Sequence, residues 1–327
     1  MPSDASSPNS DQSENTGDMG DIAGPQHHIV LSPHYDDMAL SIGATMATLA
    51  DAGREVTDLI VFGAEPSGVQ LHAFARHHHD TWGLDTNQVI TARKAEEAKA
   101  VRLLGASTAN LEFFDAIYRS GHYQSDEQLF GSLPSDEADL PKQIAAAAED
   151  VARSLTISTS APAAQVRFYA PLGIGNHVDH QLAFLAGNVL AVMGYVVWLY
   201  EDLPYAMIGN NRDHRLASLD RLGLGVHLAA MSPTAPGWRR KIQAVLAYPT
   251  QLETVFRNYA GVEPTPTGID DALATHHLSV GAGMSAERFW VFDDESLDWG
   301  QPERSPGSGR PGFATSQPFE QKGHFDV

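Results

Sequence analysis

The chain has 327 residues, 43% of them apolar, a formal net charge of −20 and no cysteine. That length suits one large domain, and an acidic body without a basic stripe excludes a phosphate-neutralising nucleic-acid surface and an anionic membrane partner. Without cysteine there is no disulfide framework and no thiol nucleophile, so any metal must be held by His and carboxylate.

Residues 1–26 hold five acids, no Lys or Arg and almost nothing to bury. They are expected to be a disordered acidic tail. They lack the basic and apolar regions of a secretory signal, which makes a cytoplasmic protein the default. No run reaches 18 apolar residues, so no membrane insertion is expected. "HIVLSP" (28–33) reads as a buried strand, and "MALSIGATMATLADAG" (38–53) as a helix with Ile42, Met46 and Leu49 on one stripe and Gly53 as its stop. The strand "EVTDLIVFGA" (55–64) follows, then the helix "TARKAEEAKAVRLLGA" (91–106) and the strand "NLEFFD" (110–115). Further on come the helix "PKQIAAAAEDVARSL" (141–155), opened by Pro, and the strand "QVRFYAPLG" (165–173). The helix "HVDHQLAFLAGNVLAVM" (177–193) leads into "YVVWLYEDLPYA" (195–206), a strand running into a loop. Residues 297–327 are Pro/Gly-rich and read as a tail, and there is no internal repeat. The alternation predicts an α/β domain over 27–296, with a mostly parallel sheet covered by helices on both faces. In such sheets ligands bind at the carboxyl ends of the strands.

Two strand ends carry the chemistry. "SPHYDD" puts His34, Asp36 and Asp37 where the first strand gives way to a helix; the i, i+3 spacing turns His34 and Asp37 the same way. "GNHVDH" puts His177, Asp179 and His180 after the fourth parallel strand. If those strands are neighbours, two His and a carboxylate converge with one position open, the coordination of a hydrolytic zinc site. Each stretch alone has a plainer reading: Asp36 or Asp37 as a helix N-cap, and "HVDH" as a solvated helix start. Their joint placement favours metal.

Together the two clusters resemble the PIG-L/LmbE family of zinc-dependent N-deacetylases, whose motifs read (A/S)HPDDE and HxDH. "RKAEEAKAVRLLGA", "LEFFDAIYR", "YEDLPYA" and "KIQAVLAYPTQ" resemble further family segments, so the likeness spans roughly residues 27–292. It implies a Rossmann-like fold with the active site at the carboxyl ends of the strands, and one Zn²⁺ per chain on His34, Asp37 and His180. It makes Asp36 the general base and His177 an acid or oxyanion stabiliser. Asp179 becomes a residue that orients a histidine, and Arg93 and Asp115 face substrate. The activity implied is removal of an N-acetyl group from an amino sugar or a conjugate containing one. An amidase for a larger N-acyl conjugate and a non-catalytic nucleotide-binding protein are the alternatives; self-association into a homo-oligomer is left open. Two departures stand out. Tyr35 and Met38 replace the Pro and Glu of HPDDE, touching no ligand. Gly175-Asn176 stands where some members carry a carbonyl-polarising Tyr, so that role passes to the metal, His177 or another loop.

Other features are less specific. "RHHHDTWG" (76–83) reads as a solvated loop or a substrate-side lid, with His77, His78 and His79 too divergent to share one ion. "GIGNHVDH" lacks the GxGxxG spacing of a dinucleotide site. Glu201 and Asp202 read equally as a salt-bridged strand end or as substrate contacts, and His276 and His277 as surface.

Overall fold

The computed structural model describes residues 24–66, 69, 71–82, 86–119, 121–156 and 162–294. Most of the tail expected over 1–26, and the tail over 297–327, lie outside them. Among the described residues, seven strands form one sheet in the order β3-β2-β1-β4-β5-β7-β6. They are β1 His27–Ser32, β2 Glu55–Ile60, β3 Ser107–Asn110, β4 Val166–Pro171, β5 Val196–Tyr200, β6 Val226–Pro233 and β7 Ala286–Phe292. The first five pair in parallel; β7 is antiparallel to both β5 and β6. Helices of eight residues or more are α1 Asp37–Asp51, α2 Ala73–Trp82, α3 Thr86–Leu104, α4 Leu140–Leu155, α5 Val178–Val192, α6 Asn211–Arg221, α7 Trp238–Val245 and α8 Pro266–Val280.

The strands β1, β2, β4 and β5 are buried on both faces, which is why they read as apolar runs, while the edge strands β3 and β6 are largely exposed. Alternate residues of β1 feed opposite cores. Ile29 and Leu31 join Leu59, Phe168 and Leu182 on one side, and Val30 joins Ile42, Met46 and Leu104 on the other. The β1 and β4 strands are neighbours, and the sheet order reverses between them. A parallel sheet opens a crevice at that switch point.

Several expectations change in detail. The third strand is Ser107–Asn110, just ahead of the expected 110–115 and sharing only Asn110 with it; beyond Asn110 the positive φ of Glu112, 58°, interrupts extended pairing. The segment still lies along β2, with Leu111 and Phe113 donating to the carbonyls of Ile60 and Val61. The α1 helix is not a one-stripe helix: twelve of its fifteen residues are buried, since α3 and α7 cover the side away from the sheet. The histidine run is helical, within α2. The antiparallel strands β6 and β7 add a second part that strand-helix alternation did not predict.

Candidate active site

The first motif turns out of β1 into α1. Asp36 takes the N-cap position of α1 but makes no side-chain capping bond, so the structural reading of this acid fails. Asp37 Oδ2 accepts from the His34 backbone N–H at 2.7 Å. Tyr35, in place of proline, donates to the Gly63 carbonyl at 3.1 Å, and Met38 is fully buried in the core. The second motif enters α5. His177 is its N-cap, with Nδ1 accepting from the Asp179 N–H at 3.2 Å. That bond leaves the proton of neutral His177 on Nε2.

Two histidines and Asp37 then converge. His34 Nδ1 lies 3.7 Å from Asp37 Oδ2, and His180 Nε2 lies 3.6 Å from Asp37 Oδ1. The far nitrogen of each ring is held by a carboxylate: His34 Nε2 meets Asp179 at 3.1 Å, and His180 Nδ1 meets Asp202 at 2.7 Å. In the neutral rings those bonds place the proton on the far side, so the nitrogens beside Asp37 are the ones a metal ion would take in competition with a proton. Donors about 2.1 Å from a tetrahedral ion stand ~3.4 Å apart, close to the separations found. A carboxylate behind each imidazole is the arrangement that fixes a metal-binding tautomer. The site thus fits a metal ion.

A second group, His34, His177 and Asp179, also lies within reach of one ion. It fits less well, because Asp179 is already committed. Its oxygens accept from Arg119 at 2.6 Å, from the Ala116 N–H at 3.0 Å and from His34. Arg119 is held in turn by Glu137 at 2.7 Å.

The electrostatics agree. Burial opposes charge on His34, but the bond to Asp179 and the fields of Asp115 and Asp37 outweigh it and lift the imidazole to about 9. Burial likewise opposes charge on His180, and Asp37 and Asp202 overcome it. The pocket therefore calls for positive charge at this point. Burial, then Asp37, raises Asp36 above the usual carboxylate range. Burial pushes His177 well below the ordinary histidine value, so it is a neutral hydrogen-bond donor.

Of the eight expected residues, seven line one cleft, and Asp179 stands behind His34. The lining includes His34, Asp36, Asp37, His177 and His180, with Arg93 and Asp115 farther along the wall. Arg93 bonds Gln251. Asp115 caps a short turn by accepting from the Ile117 N–H at 3.1 Å, and its other oxygen lies 3.7 Å from His34 Nε2. Of the histidine run, His78 lines the cleft, while His79 is buried against the Tyr118 hydroxyl at 2.8 Å. Glu201 and Asp202 divide. Asp202 holds His180 and also accepts from the Ile174 N–H at 2.9 Å, whereas Glu201 pairs with Arg288 at 2.8 Å. His277 is buried, not on the surface.

Sequence reasoning missed Asp202 as the partner of His180, Arg119 as the brace of Asp179, and an aromatic group beside the cleft. Phe130, Tyr205 and Tyr259 pack with ring centroids 5.8–6.0 Å apart. Tyr205 also meets the His180 ring at 5.7 Å. Gly175 makes room for this: a Cβ there would stand 2.5 Å from the Tyr205 ring. Tyr259 ends a π-helix, Glu253–Tyr259. The only local signal for Asp202 is an acid just beyond the end of a parallel strand.

Comparisons with known proteins agree with this geometry. Residues 29–190 match the PIG-L family model, GlcNAc-PI de-N-acetylase. The chain belongs to the PIG-L family. It is 29% identical to a 2'-N-acetylparomamine deacetylase of Niallia circulans, over 82% of this chain and 92% of that one. A 2'-N-acetylparomamine deacetylase of Streptomyces fradiae is 28% identical over 54% of this chain and 57% of its own. Among solved structures, a deacetylase of teicoplanin biosynthesis superposes with a TM-score of 0.64 at 26% identity, covering 82% of this chain and 99% of that one. The PIG-L chain is accordingly an enzyme with deacetylase activity, a hydrolase of N-acetyl amide bonds. Among its described residues, no helix is long and apolar enough to cross a membrane.

Proposed function

We propose that the chain is a zinc-dependent hydrolase that removes the N-acetyl group of an amino sugar carried in a glycoside, with His34, Asp37 and His180 holding one Zn²⁺. The observation that supports this best is the pair of carboxylate-backed imidazoles on either side of Asp37, with Asp36 next to them and unspent on capping. A bound zinc would supply Lewis acidity, to the amide carbonyl and to a water beside it. Asp36 takes the proton of the attacking water and returns it to the leaving amine. His177 serves as an oxyanion stabiliser rather than an acid. Its Nδ1 is occupied by the Asp179 N–H, and Nε2–H remains to donate to the oxygen that gains charge. Asp179 and Asp202 fix the rings of His34 and His180.

Asp115, Arg93 and the aromatic group offer polar and stacking surfaces to the acceptor. The acidic body of the protein favours acceptors that carry further amines, as the similar 2'-N-acetylparomamine deacetylases suggest. We read residues 27–296 as one catalytic domain and the protein as cytoplasmic. The test combines metal analysis with turnover. Wild type purified without added metal should hold one zinc and release acetate from 2'-N-acetylparomamine faster than from N-acetylglucosamine or a long-chain N-acyl sugar. His34→Ala should lose both metal and turnover. Equal metal content in the two proteins would sink the ligand set, and preference for the long acyl chain would make the enzyme an amidase of larger conjugates.

A further inference from the structure

The α1 helix, which starts on Asp37, is not continuous. Ile42 has φ −132° and ψ 20°, outside the helical region. The break leaves a short first piece, 37–41, and a longer second piece beginning at Gly43. In capping terms Ile42 takes the N-cap place of the second piece and has no side-chain oxygen to offer. Glu287 of β7 supplies one instead. Its carboxylate accepts from the Ala44 N–H at 3.1 Å, from the Thr45 N–H at 2.8 Å and from the Thr45 hydroxyl at 2.5 Å. At the other side of the break, Lys241 of α7 donates to the carbonyl of Ser41, the last residue of the first piece, at 3.1 Å. Lys241 and Glu287 pair at 2.7 Å and are both buried. The Lys241 ammonium also reaches His277 Nε2 at 3.1 Å, while His277 Nδ1 donates to the Ala286 carbonyl at 3.0 Å. The approach is close: a Cβ on Gly237 would fall 2.1 Å from the Ala44 carbonyl.

A buried ion pair is a weak stabiliser, because desolvation offsets its attraction. This pair does something more specific. The anion caps the start of one helix piece and the cation caps the end of the other, each at the pole that suits its sign. The break gives the first piece its own orientation. Ser41 Oγ then accepts from the Leu203 N–H at 3.1 Å, which ties the piece bearing Asp37 to the turn bearing Asp202, the partner of His180.

We infer that Lys241 and Glu287 are positioning residues: by splitting α1 they set Asp37 against His180 at the spacing the metal needs. This rests on the zinc reading above. It is tested with Lys241→Met/Glu287→Met, which replaces the pair by apolar side chains and lets α1 close its own hydrogen bonds. The double variant should fold, while zinc, titrated against a competing chelator, binds on the order of 10–100-fold more weakly, the loss typical when a group orienting a ligand is removed. With zinc saturating, kcat should fall and KM stay. Wild-type zinc affinity in a folded double variant would overturn the inference. If the double variant does not fold, Glu287→Gln and Ser41→Ala carry the test: both should weaken zinc, and unchanged affinity in both overturns it. The His34→Ala arm keeps the two readings apart. If wild type binds no zinc, or His34→Ala binds it equally well, the metal site itself is wrong and the clamp falls with it.

Discussion

The two parts of the sheet contribute differently to one cleft. The parallel part, β1 to β5, brings the residues of both motifs: His34, Asp36 and Asp37 after β1, and His177, Asp179 and His180 after β4. The part from residue 201 onward brings Asp202, Tyr205, Gln251 and Tyr259, together with the buried pair that splits α1. In the first part, function follows from local rules, since strand ends and i, i+3 spacing fix where side chains go. In the second it follows from tertiary contacts between residues far apart in sequence. The lesson is that reacting groups are set by the chain nearby, and their orientation and surroundings by chain from elsewhere.

Asp36 is the sharpest test of the first part. Asp36→Asn should keep the fold and the metal and lower kcat on the order of 10²–10⁴-fold, the range for losing a general base. The effect should sit in kcat rather than KM, because the proton moves only in the transition state. Asn caps helices about as well as Asp, so near-normal turnover of a metal-loaded variant would remove Asp36 from the chemistry.

The second part is tested by two adjacent acids that the sequence does not distinguish. Asp202→Asn should weaken metal binding about 10–100-fold by loosening His180. Glu201→Gln should leave metal affinity alone, because Glu201 faces Arg288 and Trp290. Equal losses in a chelator titration would mean that the His180–Asp202 bond has no special standing.

How much could be read beforehand divides along the same line. The parallel core, its helices and the six motif residues were legible because apolar runs, Pro and Gly stops and motif spacing are local signals. The place of β3 was not, since Ser107–Asn110 is not an apolar run and nothing near Glu112 in sequence marks a positive φ. The helical histidine run and the burial of His277 were also missed. His79 is hidden by Tyr118 and His277 by Lys241, contacts that span 39 and 36 residues. Asp202 looked like its neighbour until a histidine was placed against it.

A smaller effect concerns pH. Glu97 of α3 is almost fully buried, accepting from the Tyr248 hydroxyl at 2.6 Å. Burial lifts its carboxyl to about 7, the bond from Tyr248 opposing only part of that. The sign is fixed by linkage. The folded state keeps a proton that an unfolded glutamate releases near pH 4.3. Stability from this group is therefore full below that pH and is lost as pH rises toward 7. Denaturant midpoints at pH 5 and pH 7.5 should differ less in Glu97→Gln than in wild type. Parallel pH slopes would show that Glu97 and the buried Asp58 beside it hold no extra proton between them.

The smallest effect should come from the N-terminal residues, and it depends on where the cut falls. An acidic stretch with little to bury invites removal of all of 1–26. Yet the last three residues are part of the body. The Pro25 carbonyl faces His28 Nε2 at 3.0 Å, and the Gln26 carbonyl accepts from the Glu55 N–H at 2.9 Å. Gln26 also donates to the Gly53 carbonyl at 3.1 Å. These bonds extend β1 by one rung toward β2 and satisfy His28, which is fully buried. Net bonds of this kind contribute about 1 kcal/mol each, and a buried ring nitrogen left without its partner costs more, although His28 Nδ1 keeps its bond with the Tyr169 hydroxyl at 2.8 Å. A chain starting at Gly24 should melt with wild type, and one starting at His27 should melt several degrees lower, with zinc content unchanged in both. If the Gly24 chain also melts low, the acidic residues ahead of it contribute to the fold; if both melt like wild type, the extra rung adds nothing.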